Sequence, residues 1–239
     1  MPNILPTLSV VVTPFIAGLI LFFRVKKNSV LAIKPFYWNY ALGFLIISLS
    51  HLSVFLINLG LQLDYDVLRA VNFISFWALL FGYLLFYRGT IFLLTKDRFI
   101  TTIFPLITLP LIAGIAMVSL FILEVATITI YTAVAWGFIF PSITYLTSIF
   151  LYFFIQGAPF NTMKRRPSVL LLSIGWFIVL GSAIFTWFSS VTYHPELWLL
   201  RAASLKGQFF LRVLGYLFIL VGCLLYSKHL PQPKISKEK

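Results

Sequence analysis

Seven stretches of this chain are too long and too apolar to lie anywhere but in lipid. They cover roughly residues 5–23, 36–60, 70–94, 103–122, 126–155, 169–192 and 209–226. About 20 mostly apolar residues in helical form cross a bilayer core. The runs are continuous and lack the apolar/polar alternation of ~10-residue barrel strands, so helices are the expected spanning form. The sequence thus predicts an all-α polytopic membrane bundle of seven transmembrane helices. Residues 1–239 form one domain in this reading, ending in a short basic tail at 227–239.

Charge placement predicts the orientation. The chain has 18 Lys+Arg against 6 Asp+Glu, a net charge of +12. Segments 24–34, 88–98, 164–166 and 228–239 hold 14 of the basic residues and, as acids, Asp97 and Glu238, so they carry the whole excess. In the alternate segments Arg69, Arg201, Lys206 and Arg212 balance Asp64, Asp66, Glu124 and Glu196. The positive-inside bias then places the N-terminus outside and the C-terminus in the cytoplasm. An odd number of spans agrees, and a prokaryotic plasma membrane is the expected location.

Composition excludes a water-soluble globule, since 10% charged residues and a mean hydropathy of +1.01 leave too little polar surface. A pI near 10.0 would point to nucleic acid in a soluble protein. Here the basic residues flank spans, where topology and anionic lipid headgroups account for them without nucleic acid. Lys164, Arg165 and Arg166, with Arg88 near the inner end of span three, are the expected contacts to headgroups or a partner. Snorkelling brings Arg88 to that surface. Met1-Pro2-Asn3 lacks the positive region of a secretory signal, so the first run reads as a retained span. Cys223 is the single cysteine, and no intrachain disulfide is expected.

The motif scan finds no HExxH, no Cys/His metal spacing, no GxSxG and no phosphate-binding glycine loop. Carboxylates are nearly absent from the spans, which argues against an intramembrane protease or a carboxylate-driven proton pump. Span seven has no lysine for a retinal. No catalytic constellation, cofactor or metal is expected.

The polar residues inside the spans are more informative. Ser48, His51, Phe55 and Asn58 follow a 3-4-3 spacing on one face of span two. Asn72, Ser75, Leu79 and Gly82 repeat it in span three, and Ser182, Thr186 and Ser189 share a face with Gly175 in span six. His51 lies roughly 13 Å below the outer end of its helix at 1.5 Å per residue. One reading is plain helix–helix contact through small hydrogen bonds. The other is an outward polar pocket between spans two, three and six, with ligand contacts from His51, Ser48, Asn58, Asn72, Ser75, Ser182 and Thr186. An ionisable group buried in a membrane is a candidate site by default. Arg212, one turn into span seven, would snorkel, pair with Glu196 or Glu124, or bind an anion.

Several structural expectations accompany these. Pro105, Pro110 and Pro141 should bend spans four and five. Gly215 and Gly222 should form a smooth strip for close helix approach. Tyr37, Trp38, Trp77, Trp187, Tyr193 and Trp198 read as an interfacial belt. Residues 195–206 read either as a short interfacial helix or as a continuation of span seven.

Three functions follow. The leading one is a sensory or receptor-like membrane module that signals to a cytoplasmic partner through the basic loops. In topology and size alone, the layout resembles the seven-span sensor regions that precede bacterial histidine kinases. A small transporter or lipid-handling protein is the second, and a structural subunit of a membrane complex the third.

Overall fold

Long runs of Leu, Ile, Phe and Val, with few charges to interrupt them, satisfy their backbone groups within their own helices. The computed structural model describes residues 4–27, 33–59, 64–93, 139–156, 166–191 and 198–228, and their regular structure is helical throughout. The helices are α1 (Ile4–Lys27), α2 (Lys34–Asn58), α3 (Tyr65–Ile91), α4 (Phe140–Gln156), α5 (Arg166–Val191) and α6 (Trp198–Lys228). Among the described residues four stretches are long and apolar enough to cross a membrane: Ile4–Val25, Phe73–Ile91, Pro167–Thr186 and Gly207–Tyr226. The apolar part of α4, Phe140–Ile155, is shorter. At 25 residues α2 has the length as well, and it turns Asn39, Ser48, Ser50 and His51 inward.

The helices pack in the order α1–α2–α3 and α4–α5–α6, with α6 returning against α1. Pairs of contacts set their directions. Gly18 lies against Leu45 while Phe22 stacks on Trp38, so α1 and α2 are antiparallel. Gly89 meets Tyr40 and Gly82 meets Ile47, making α2 and α3 antiparallel. Tyr37 reaches Cys223 and His51 reaches Tyr216, so α2 and α6 are antiparallel too. Gly222 sits on Leu172 and Gly215 on Val179, which reverses α5 relative to α6.

Gly215 and Gly222 form the expected strip. A Cβ on Gly215 would lie 2.9 Å from the Gly175 carbonyl oxygen, and one on Gly222 3.0 Å from that of Ser168. These are backbone contacts, and only a missing side chain permits them.

Between the helices lies an aromatic core. Trp176 is fully buried and meets Tyr40, Tyr83 and Phe86 at centroid separations of 4.9–6.4 Å. Edge-to-face stacks join Phe86 to Phe44 and Phe44 to Tyr216. Such geometry aligns ring edges with ring faces and adds about 0.5–1.5 kcal/mol per pair.

The belt expectation fails for Tyr37, which is 2% exposed and donates its hydroxyl to the Cys223 carbonyl at 2.8 Å. A phenol that finds a carbonyl on a neighbouring helix has no need of the interface. Trp38 is partly buried against the core, and Trp77 stacks on Phe73. Pro141 stands in α4 close to where the described residues resume at Ile139. Span four with Pro105 and Pro110, and the first part of span five, lie outside the described residues. From Trp198 onward α6 is one helix of 31 residues. Residues 198–206 therefore continue span seven rather than forming a separate element.

Candidate functional site

Helical periodicity places Gln208, Arg212 and Tyr216 one above another on α6, each four residues apart. The facing α5 presents Ser182 and Thr186 at the same spacing. Arg212 donates from Nε to the Ser182 hydroxyl at 3.0 Å and from Nη2 to Thr186 Oγ1 at 2.7 Å. Thr186 donates in turn to the Ser182 carbonyl at 2.8 Å and is in close contact with Gln208 Oε1. Ser182 is fully buried and Gln208 is 4% exposed, so both belong to the interior of the bundle.

Among the described residues, this arrangement holds a guanidinium between two membrane-type helices by neutral oxygens. Among the described residues no carboxylate contacts Arg212. The proposed acidic partners, Glu196 and Glu124, lie outside them. Long cationic side chains near helix ends ordinarily reach for the interface. Here the side chain instead folds sideways onto α5.

His51 joins the same strip from α2. Its Nε2 lies 3.3 Å from the Tyr216 hydroxyl, with the rings tilted at 35°. Arg212 is close enough to act on the His51 ring electrostatically. Tyr216 therefore lies one turn along α6 from Arg212 and in hydrogen-bond range of His51.

A second polar chain crosses the aromatic core further along the bundle. The Trp176 indole N–H donates to the Tyr40 hydroxyl at 3.3 Å, and Tyr40 lies 2.8 Å from Thr90 Oγ1. Thr90 donates to the Phe86 carbonyl at 2.9 Å. An indole N–H only donates, and the Thr90 hydrogen is engaged with Phe86, so Tyr40 donates to Thr90. The chain runs in one direction and ends on a backbone carbonyl. Its groups satisfy one another, and it welds α2, α3 and α5 together.

The residues expected to line a pocket separate into groups. Ser182 and Thr186 converge with His51, but through α6 rather than across a cleft between spans two, three and six. Ser48 donates to the Leu45 carbonyl of its own helix at 2.7 Å. Ser75 is half-buried on α3. Asn58 and Asn72 stand on described helices, but their side chains lie outside the described set. Arg88, in the last turn of α3, places its guanidinium 5.5 Å from the Phe92 ring centre. Lys164 and Arg165 are outside the described residues, and Arg166 opens α5.

Sequence reasoning passed over Gln208 and Tyr216. Spacing offered the only signal, since both fall four residues from Arg212, the one charge in the apolar part of α6.

Among the described residues no three His, Cys, Asp or Glu side chains come together to hold a metal. Comparison with known proteins finds no matching family model, no matching curated protein and no matching solved structure.

Proposed function

We propose that the chain is a seven-span sensory or receptor-like membrane module, with its recognition site at the Arg212–His51 strip. The observation that carries this reading is that two ionisable side chains, Arg212 on α6 and His51 on α2, come together beside Tyr216. Ionisable groups held inside a membrane bundle mark functional sites. The strip also adjoins the core directly, because Tyr216 stacks on Phe44, and Phe44 on Phe86. A ligand that repositions Arg212 therefore acts on side chains packed against α2 and α3.

The seven-span count draws support from helix direction. α3 and α6 both run opposite to α2, and α5 runs opposite to α6, so α5 starts on the side where α3 ends. With α4 crossing once, this parity favours one further crossing between 94 and 138, the stretch that holds the apolar run 103–122. In the proposed orientation the basic segments face the cytoplasm. They contact anionic headgroups and a cytoplasmic partner there, and the site lies in the outer half.

Two measurements test this. A cytoplasmic partner co-purifies with the full chain in mild detergent and is lost on deleting 161–166 or 228–239. Recovery of the chain alone from its native membrane counts against signalling. Separately, a cysteine introduced at Lys234 reacts with an impermeant maleimide in inside-out vesicles and not in intact cells. The reverse pattern overturns the orientation.

A further inference from the structure

We infer that the Arg212 strip binds a phosphate-type oxyanion, either free or as a lipid headgroup. This rests on the recognition site proposed above and adds its ligand class. Arg212 spends its Nε–H on Ser182 and one Nη2–H on Thr186. A guanidinium carries further N–H donors in a fixed planar fork, and among the described residues none of these meets an acceptor. Arg212 itself is only half-buried, while the Ser182 behind it is sealed. The inner donors thus anchor the group, and the outer ones are left to meet a ligand.

Charge points the same way, because the Arg212 guanidinium is a permanent cation. Among the described residues no carboxylate is seen to contact it. A cation is costly to desolvate inside a bundle, and an anionic ligand lowers that cost. Phosphate suits the fork better than a halide does, because its oxygens accept two parallel N–H bonds and have capacity left over. The buried amide of Gln208, one turn away, sits where it holds Thr186 in place, and Thr186 in turn sets the angle of the guanidinium.

The test uses the full chain in dodecyl maltoside, which contains no phosphate. In one arm inorganic phosphate is titrated while the melting temperature is followed. In the other, phosphatidylglycerol is added and retained adducts are counted by native mass spectrometry. Wild type should gain stability with phosphate or keep a phosphatidylglycerol adduct through delipidation. The first result identifies a free oxyanion, the second a headgroup.

Arg212→Gln should weaken whichever response is seen by roughly tenfold or more. Arg212→Lys, which keeps the charge and loses the fork, should fall between them. Gel filtration of Arg212→Gln first establishes that it is folded. If that variant aggregates, Thr186→Val, which removes a neutral anchor and no charge, takes its place with the same expected direction. The inference is overturned if wild type responds to neither probe, or if the variants respond as wild type does. Phosphate binding without partner recovery leaves this site standing and removes signalling. Partner recovery without phosphate binding does the opposite.

Discussion

Gly175 and Gly215 face each other across α5 and α6, so that a Cβ on either would lie 2.9 Å from the other's carbonyl oxygen. The pair sets how near the two helices approach, and hence whether Arg212 reaches Ser182 and Thr186 at all. Two turns of α6 separate Gly207 from Gly215, yet a Cβ on Gly207 meets nothing within 4 Å. Closeness is a local property of the strip.

Replacing Gly215 with leucine should destabilise the bundle by about 1–3 kcal/mol, the usual cost of overpacking a filled interior. Gly181→Ala is the matched control, because its added methyl also meets open space. Thermal unfolding of both variants in the same detergent checks this. Equal melting temperatures would remove the close-contact account.

Tyr40→Phe leaves the Trp176 indole N–H in the core without its acceptor, and Thr90→Val leaves the Tyr40 hydroxyl without one. Each single change should cost about 1–3 kcal/mol. The double variant should cost less than the sum, with a coupling of about 0.5–3 kcal/mol. Additive losses would show that the two contacts act independently.

Cys223 is fully buried, and its backbone carbonyl accepts the Tyr37 hydroxyl. The folded protein should therefore resist maleimide in detergent and label fully once unfolded in dodecyl sulfate. Rapid labelling under native conditions would place Cys223 on the surface. Tyr37→Phe should bring labelling forward along a denaturant series, since it removes a tie between α2 and α6.

His51→Phe and Tyr216→Phe test the contact between those helices near Arg212. Hydrogen bonds between membrane helices are worth about 0.6–2 kcal/mol. The cycle of single and double variants should show a coupling in that range by thermal unfolding. A coupling of zero would mean that the 3.3 Å approach is packing alone.

The parts of this architecture legible in the sequence are those that one helix settles by itself. Apolar length located α1, α3, α5 and α6 as membrane-type helices. The spacing of Gly215 and Gly222 identified a close-approach strip, and Ser182 with Thr186 read correctly as one face. Periodicity fixes an angle about the helix's own axis, however, and does not say which neighbour that face meets. Their face predicts contact with spans two and three, whereas in the fold Ser182 and Thr186 meet Arg212 of α6. Tyr37 misled for a related reason. An aromatic at a span end reads as an interfacial anchor until a carbonyl from a helix 186 positions away is seen to receive it.

The contact between α1 and α6 has a consequence for how the molecule is made. Of the described helices, the earliest to be synthesised is not enclosed until the latest of them arrives. Throughout synthesis α1 has α2 as its neighbour, while the flank later covered by α6 faces lipid. The glycine strip of α5 waits in the same way. Assembly therefore waits on α6, and a chain cut before residue 198 would be left with two unfinished seams, marked for quality control rather than function.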